Sequence, residues 1–560
     1  MKIFLAQQNY IIGDFEHNSQ KIIEAIRRAK KNGGDLIVFS ELAICGYPPK
    51  DFLEFDDFIQ SCIDCIDQIK REAVGIAVLV GAPARNSVPE GKDLYNSAYF
   101  LEGGEIKQVV RKSLLPTYDI FDEYRYFEPA SEWQCVIFKG KKLAVTICED
   151  IWDLVADPLY KVPPMDHLVR EQPDIMINLS ASPFSYTHAS SRMAMARKNV
   201  SRYQLPMIYC NTVGAQTEII FDGGSFALDA HGQQLLQMPF FGEALTAIEW
   251  AKNGELQPLT SQDDLPEYPK DIDEEKLHPD LNIDKIHDAL VLGIREYFSK
   301  MGFEKAIVAS SGGIDSAVVL SMACEALGAV NVQALLLPSG FSSDHSIADA
   351  RALSEALGNP YDIIPIQPAF DSVRESLRPA FKDLPFGLAE ENIQARLRGL
   401  FAMAYSNKFG SILLNTSNKS ELSVGYGTLY GDMAGGLSVI GDVYKTQVYA
   451  LARYINRNRE IIPTNILAKA PSAELRPGQK DADSLPDYAL MDDLLYRYIE
   501  CRHRKKTLMA AGFPEDLIQK VLSMVNRNEY KRNQFCPILR VSPKAFGIGR
   551  RMPVVARYEG

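Results

Sequence analysis

The chain has 560 residues, of which 46% are hydrophobic and 24% are charged, and its formal net charge is −12. At about 150 residues per domain, this length predicts two to four domains, and the ordinary composition excludes disordered, collagen-like and coiled-coil proteins. An acidic chain without a long Lys/Arg run lacks the electrostatic footprint of a nucleic-acid or membrane binder. The negative net charge does not exclude small phosphorylated ligands, because backbone N–H groups, a lysine and a metal ion suffice to bind them.

Two further features indicate a cytoplasmic protein. The N-terminus lacks the apolar core of a signal peptide, and the longest apolar run, residues 73–82, is about half of a membrane helix. The nine cysteines are scattered and do not resemble a disulfide framework. The isolated Cys62–Cys65 pair does not provide the four ligands of a structural zinc site.

Short apolar runs predict a series of strands in the first part of the chain. They cover residues 2–7, 35–41, 77–83, 142–150, 174–182, 206–211 and 225–229. A helix is predicted after the first of them, because Ile22, Ile26 and Ala29 recur at a spacing of three to four before Gly33. Strands that alternate with helices predict parallel sheets, with binding sites at the carboxyl ends of the strands.

Residues 258–280 are rich in proline and acidic residues and have almost no apolar periodicity, so we expect a linker there. The expected domains are therefore residues 1–257 and 281–560. The second begins with a helical pattern that starts at Ile283. Its predicted strands cover residues 305–310, 332–340, 361–366 and 411–417.

Cys148 is the candidate nucleophile of the first domain, since it directly follows the predicted strand KLAVTI. A reactive thiolate needs a base, a positive neighbour and an oxyanion stabiliser. Glu41 at the end of DLIVFSE and Lys112 in RKSLLPTY both flank strand-like runs, so they are candidates for those roles.

The segments FSELAICGYPPKD, KSLLPTYDIFDEYRYF and ICEDIWD resemble the glutaminases of the nitrilase superfamily. This resemblance implies an α-β-β-α sandwich with Glu41 as general base, Lys112 as stabiliser of the tetrahedral intermediate and Cys148 as nucleophile. It also implies glutamine contacts by Tyr118, Ser182 and His188, although relatives usually have a more basic residue at the position of His188.

The sharpest motif of the second domain is Ser310-Ser311-Gly312-Gly313-Ile314-Asp315-Ser316, which lies between a predicted strand and a predicted helix. Such a turn presents backbone N–H groups and the positive end of a helix dipole to an anion. Asp315 fits this anion site if it holds Mg²⁺. The motif is neither a GxxxxGK[ST] loop nor a GxGxxG fingerprint.

SGGxDS resembles the pyrophosphate loop of the ATP-pyrophosphatase superfamily. Together with NTSNKSE (415–421), TLYGDMAGGLSVIGDVYK (428–445), PSAELRPGQKDADSLPDY (471–488) and NEYKRNQ (528–534), the block resembles NAD synthetases, which implies a Rossmann-like parallel α/β fold. After KRNQ the chain lacks the Pro-Gly pair that many relatives have. The residues implied to bind ATP are Ala309, Ser310, Ser311, Gly312, Gly313, Ile314, Asp315, Ser316 and Thr416. Those implied to bind deamido-NAD are Asn392, Glu421 and Lys531, and those implied to bind Mg²⁺ are Asp315 and Glu421.

The order of the two blocks resembles the family of glutamine-dependent NAD synthetases. That family converts deamido-NAD, ATP and glutamine to NAD, AMP, pyrophosphate and glutamate, with ammonia passed from one reaction to the other. Three alternatives stay open, namely another amidotransferase with a pyrophosphate loop, a tRNA-thiolating enzyme and a non-catalytic scaffold. We expect small-molecule substrates, no nucleic-acid or membrane partner, and a homo-oligomer.

Overall fold

The computed structural model describes residues 1–154, 158–258, 265, 273–382, 384–472, 474–476, 478–479, 481–483 and 485–558. Residues 259–264 and 266–272 of the expected linker, and residues 473, 477, 480 and 484 of the 471–488 motif, lie outside the described residues. The chain divides into two compact units, Met1–Lys270 and Asp271–Gly560. Within the described ranges, none of the helices combines the length and the apolar character needed to span a membrane.

The first unit contains short strands that alternate with a few helices. The strands are β1 (Lys2–Gln7), β2 (Leu36–Val38), β3 (Ala77–Arg85), β4 (Leu94–Glu102), β5 (Glu105–Arg111), β6 (Val136–Phe138), β7 (Lys141–Ile147), β8 (Ile175–Ser180), β9 (Met207–Asn211), β10 (Val213–Gln216), β11 (Ile219–Asp222), β12 (Phe226–Leu228), β13 (Gln234–Gln237), β14 (Ala244–Trp250) and β15 (Leu256–Pro258). The helices are α1 (Phe15–Lys31), α2 (Asp56–Glu72), α3 (Met165–Leu168) and α4 (His188–Tyr203).

Two sheets form the centre of this unit. One has the order β15-β14-β1-β2-β3-β4-β5 and the other the order β13-β12-β9-β8-β7-β6. Leu5 and Leu79 of the first sheet share a buried core with Val145 and Ile177 of the second, so the sheets pack face to face. The other face of the second sheet is covered by α4, and α2 packs on β3 of the first. This is the predicted α-β-β-α sandwich.

The second unit alternates helices with short strands before it ends in helices. Its elements are α5 (Ile283–Met301), β16 (Ala306–Ala309), α6 (Ile314–Leu327), β17 (Val332–Leu336), α7 (Asp344–Leu357), β18 (Tyr361–Ile363), α8 (Gln367–Phe381), α9 (Leu388–Phe409), β19 (Ile412–Asn415), α10 (Lys419–Val424), β20 (Leu437–Ser438), α11 (Lys445–Ile455), α12 (Thr464–Ala468), α13 (Tyr488–Ile499), α14 (Lys505–Ala510), α15 (Glu515–Arg527) and α16 (Glu529–Arg532).

The sheet of this unit is parallel throughout, with the order β18-β17-β16-β19-β20. From β16 the chain adds β17 and β18 on one side, and later β19 and β20 on the other. The strand order therefore reverses between β16 and β19, and in open α/β sheets ligands bind at the carboxyl ends of the strands at such a point. This confirms the predicted Rossmann-like fold and puts the loops after β16 and β19 at the binding edge.

Several strands were not predicted from the sequence. Strand β5 (EIKQVVR) lacks an apolar run because most of its residues are exposed, and β14 is only partly buried. Both pair antiparallel with a neighbour, and in antiparallel sheets one face can remain in water. The predicted strands include the central strands β1, β8 and β9, which have no exposed residues.

Candidate active sites

Glu41 and Lys112 meet at one edge of the seven-stranded sheet. Glu41 lies shortly after β2 and Lys112 directly after β5, which runs in the same direction as β3 because β4 is antiparallel to both. The Lys112 ammonium is 2.7 Å from Glu41 Oε1, and both side chains are 0% exposed. Burial opposes the charge on Lys112, but the carboxylates of Glu123 and Glu41 raise its pKa well above the usual value. The two carboxylates therefore favour the charged form of this buried side chain.

Glu123 is a second carboxylate on the same ammonium, and it was not among the residues predicted from the sequence. Its oxygens accept hydrogen bonds from Lys112 Nζ at 2.8 and 2.9 Å, and Tyr47 Oη donates to Oε1 at 2.8 Å. Burial raises the pKa of Glu123 to about 7. Asn96 Nδ2 donates to Glu41 Oε1 at 2.7 Å, so each carboxylate has a neutral donor besides the lysine.

Cys148 directly follows β7 and opens a 3-10 turn, Cys148–Ile151. Its φ of +43° is uncommon for a non-glycine residue and tends to occur at functional sites. Burial raises the pKa of the thiol well above its usual value, and the charge of Glu41 adds to this while Lys112 opposes it. The resting thiol is therefore protonated, and a nucleophilic thiolate requires a base to take its proton.

The residues expected to bind glutamine form two contacts. Ser182 Oγ lies 2.9 Å from His188 Nε2, and the imidazole stacks on Trp152 with ring centroids 4.9 Å apart. Tyr118 Oη donates to Glu149 Oε1 at 2.8 Å, and Glu149 directly follows Cys148. Glu149 was not predicted from the sequence as a site residue, although its place directly after the nucleophile was a usable signal.

In the second unit, the loop after β16 has the geometry of an anion site. Gly312 has a φ of +74°, and a Cβ at this position would lie 2.2 Å from the carbonyl oxygen of Ser346. Gly313 caps α6 and its N–H donates to Ser311 Oγ at 3.2 Å. Every residue expected to contact ATP, except Gly312, lines a cavity of about 280 Å³.

Asp315 and Glu421 lie on either side of a buried lysine. Lys445 Nζ is 2.5 Å from Asp315 Oδ2 and 3.9 Å from Glu421 Oε1, while Asn418 Nδ2 donates to Asp315 Oδ1 at 2.9 Å. Burial raises the pKa of Glu421 to about 8, and the negative charge of Asp315 contributes to this.

This pair of carboxylates fits a divalent cation. Two close negative charges are stabilised by an added positive charge, and oxygen ligands are those that Mg²⁺ prefers. Among the described residues, no group of three or more metal-binding side chains was found. Magnesium commonly binds through one or two carboxylates together with substrate phosphates and water, so Asp315 and Glu421 match that arrangement.

Asn392 and Lys531 meet at the segment of residues 425–428. Lys531 Nζ donates to the carbonyl oxygens of Gly425 and Gly427 at 2.7 and 2.8 Å, and Thr428 Oγ1 donates to Asn392 Oδ1 at 2.8 Å. Burial lowers the pKa of Lys531. Neither Asn392 nor Lys531 is among the residues that line the 280 Å³ cavity, whereas Glu421 is.

The C-terminal segment that lacks the Pro-Gly pair is held by a buried charge network. Asp442 Oδ2 accepts from the backbone N–H groups of Val541 and Ser542 at 2.8 and 2.7 Å. Lys419 Nζ lies 2.9 Å from Asp442 and 2.7 Å from Glu500, and it donates to Ser542 Oγ. Because Lys419 begins α10, this network ties the C-terminal segment to the helix that carries Glu421.

Two family models match the chain. Residues 2–251 match the carbon-nitrogen hydrolase family, and residues 286–535 match the NAD synthase family. The chain is 44% identical to a glutamine-dependent NAD(+) synthetase of Synechocystis sp., over 99% of both chains. It is 39% identical to a protein of the same description from Thermotoga maritima, over 100% of this chain and 99% of the relative.

The fold is also similar to a solved structure, that of the glutamine-dependent NAD+ synthetase of Acinetobacter baumannii in complex with ADP. This protein is 35% identical to the present chain, with a TM-score of 0.77 over 99% of this chain and 98% of that one.

Proposed function

The chain belongs to the family of glutamine-dependent NAD(+) synthetases, and from that premise we propose how its residues divide the reaction. The first unit releases ammonia from glutamine, and the second uses ATP and ammonia to amidate deamido-NAD. The observation that carries this proposal is the buried Glu41–Lys112 pair beside Cys148, in a chain whose second unit has a glycine loop opening onto a 280 Å³ cavity.

In the first reaction, Glu41 takes the proton of the Cys148 thiol, and the thiolate attacks the side-chain amide carbon of glutamine. The Lys112 ammonium stabilises the oxyanion of the tetrahedral intermediate, since it is buried and charged before substrate binds. Glu41 then gives the thiol proton to the leaving nitrogen, which departs as ammonia and leaves a thioester on Cys148. Glu41, now deprotonated, takes a proton from water as that water attacks the thioester, and it returns the proton to the Cys148 sulfur as glutamate leaves.

Glutamine is held by its two charged ends. Glu149 offers a carboxylate to the substrate ammonium, and Tyr118 fixes that carboxylate through its hydroxyl. Ser182 and His188 are paired by a hydrogen bond and bind the substrate carboxylate. The family that this segment resembles usually has a basic residue at this position, and His188 offers an imidazole nitrogen there instead.

In the second reaction, residues 309–316 and Thr416 hold ATP, with its phosphates at the N-terminus of α6. A carboxylate oxygen of deamido-NAD attacks the α-phosphorus, and pyrophosphate leaves. Ammonia then attacks the carbonyl carbon of the acyl adenylate, AMP departs, and the nitrogen releases a proton to solvent as NAD forms. Asn392, Glu421 and Lys531 bind deamido-NAD.

Asp315 and Glu421 would hold Mg²⁺, which neutralises charge on the phosphates when it is bound. Lys445 places a second positive charge beside Asp315. This charge is present before ATP binds and attracts the phosphates. We further propose that the protein is a cytoplasmic homo-oligomer with small-molecule substrates.

The decisive experiment incubates the protein with deamido-NAD, ATP, Mg²⁺ and glutamine and follows NAD, AMP and glutamate together. We expect NAD and AMP to form in equal amounts and glutamate to be released. Release of glutamate without any NAD would assign the second unit to a different acceptor and overturn the proposal. Omission of ATP is the control that should stop NAD formation.

A further inference from the structure

Asp150 accepts hydrogen bonds from the backbone of two separate segments. Its Oδ1 accepts from the N–H groups of Ser113 and Leu114 at 3.0 and 2.9 Å, and its Oδ2 accepts from Ile147 N–H at 2.9 Å. The residue is 3% exposed. A buried carboxylate that receives several N–H bonds is a strong and directional anchor.

The two segments carry the nucleophile and the cation of the first site. Ser113 and Leu114 directly follow Lys112 at the end of β5, which belongs to the seven-stranded sheet. Ile147 directly precedes Cys148 at the end of β7, which belongs to the six-stranded sheet. The Asp150 carboxylate therefore joins the two sheets next to Lys112 of one sheet and Cys148 of the other.

The backbone hydrogen bonds of Lys112 itself do not join the two segments. Lys112 N–H donates to the carbonyl of Asn96, and Ala130 N–H donates to the carbonyl of Lys112, so both fix Lys112 within its own sheet region. The backbone at Cys148 has the unusual φ of +43°, and such a conformation persists only where its surroundings hold it. Asp150 accepts a hydrogen bond from the backbone of Ile147, the residue before Cys148, and belongs to the same 3-10 turn as Cys148.

We propose that Asp150 is a positioning residue for glutamine hydrolysis, which sets the placement of the Cys148 thiol relative to the Lys112 ammonium. Its carboxylate accepts from backbone N–H groups, so it acts on the reacting groups through the backbone beside them. The inference deepens the proposed function and rests on the glutaminase role assigned to Cys148. Small errors in such a placement reduce the rate strongly because the reacting groups must be held close to their productive geometry.

The first test is Asp150→Asn, which conserves shape. The amide oxygen can still accept from Ser113 and Leu114, whereas the amide nitrogen cannot accept from Ile147 N–H. Glutamate release from glutamine is measured without deamido-NAD, so the result does not depend on the second reaction. We expect kcat to fall at least about tenfold while KM for glutamine stays within about twofold.

Asp174→Asn is the matched control. Asp174 also accepts a backbone N–H of β7, that of Lys142 at 2.9 Å, but at the opposite end of the strand. We expect this variant to keep kcat and KM within about twofold of the wild type. An equal loss of kcat in both variants would overturn the proposal, because it would reflect general damage to the strand.

A second measurement separates positioning from folding. Glutamine binding is compared between Cys148→Ala and the double variant Cys148→Ala/Asp150→Asn, and we expect the same Kd within about twofold. Ammonia-driven synthesis by Asp150→Asn should match that of the wild type. The positioning role would be overturned if kcat of Asp150→Asn were unchanged, or if a rise in KM accounted for the whole loss of kcat/KM. It would also be overturned if the double variant no longer bound glutamine. If the wild type released glutamate but formed no NAD, the proposed acceptor would fail while this test remained valid.

Discussion

The Lys112 ammonium and the Glu41 carboxylate lie 2.7 Å apart, and neither side chain has any exposed surface. Burial of such a pair has a large desolvation penalty. The attraction between the two charges offsets this penalty only when further hydrogen bonds satisfy the remaining polar atoms of both groups. Here Asn96, Glu123 and the backbone N–H of Ala181 complete the pair. The site therefore holds a base and a cation in place before any substrate arrives.

We expect Lys112→Met to destabilise the first unit as well as to abolish glutamine hydrolysis. The variant leaves Glu41 and Glu123 buried without their cation, and the removal of one partner from a buried ion pair is expected to reduce the free energy of unfolding by about 3–5 kcal/mol. Urea unfolding together with glutamate release measures both effects. A variant of unchanged stability would contradict the burial of the charges.

Cys148→Ala should abolish glutamine-driven NAD formation and leave ammonia-driven formation within about twofold of the wild type. The thiol is the nucleophile of the first reaction only, so ammonia supplied from solution should bypass it. Initial rates with glutamine and with ammonium chloride give the comparison. Equal loss with both donors would show that the two reactions do not have separate sites.

Some residues of these sites could be predicted from their positions along the sequence, and others are brought to the site only by the folding of a loop. Glu41 and Cys148 each follow a strand that was predicted, so their positions along the chain were informative. Lys112, in contrast, follows β5, which was not predicted, and its role came from the family resemblance of its segment. Glu123 shares its segment with Asp119 and Asp122, and no spacing distinguishes the three acidic residues. Only the folded loop shows which carboxylate reaches the Lys112 ammonium.

The same reasoning applies to the fold. The central parallel strands were predicted because both of their faces are buried, which produces continuous apolar runs. Strand β20 has only two residues, and β5 is largely exposed, so neither leaves such a run in the sequence. Strand β5 forms a hairpin with β4 across Gly103 and Gly104, whereas β20 pairs with β19, which lies well before it in the sequence.

Asp315→Ala should remove NAD synthesis with either nitrogen donor. Asp315 is the expected Mg²⁺ ligand and the partner of Lys445, so its loss disturbs both positive charges that the phosphates require. Glutamate release by the first unit, measured without ATP, is the control for a folded chain. Persistent NAD synthesis would contradict the role of this carboxylate.

Gly312→Ala should reduce ATP-dependent synthesis by about a hundredfold or more. The added Cβ would lie 2.2 Å from the Ser346 carbonyl oxygen, and alanine also disfavours the φ of +74°, so the loop must change shape. Gly313→Ala is a matched control, because its Cβ would be 3.2 Å from the Ser311 hydroxyl alone and its φ is −92°. Wild-type activity of Gly312→Ala would show that the Gly312 conformation is dispensable.

His287 provides a pH test of stability in the second unit. The imidazole is buried on α5, with Nδ1 3.1 Å from Asp288 Oδ1 and Nε2 3.2 Å from Glu325 Oε2 on α6. Burial alone lowers the pKa of His287, but the hydrogen bonds to Asp288 and Glu325 outweigh it and raise the value from 6.5 to about 9. The imidazolium therefore ties α5 to α6, the helix that begins at the phosphate loop.

Because the folded pKa is raised, the stabilisation is complete below about pH 6.5 and is lost as the pH rises through about 9. With allowance for the exposure of both carboxylates, we expect His287→Gln to lose about 2 kcal/mol of unfolding free energy near pH 6. The difference from the wild type should shrink towards zero at about pH 10. Urea unfolding across this range measures it, and a difference that stays constant with pH would show that His287 acts through packing and not through its charge.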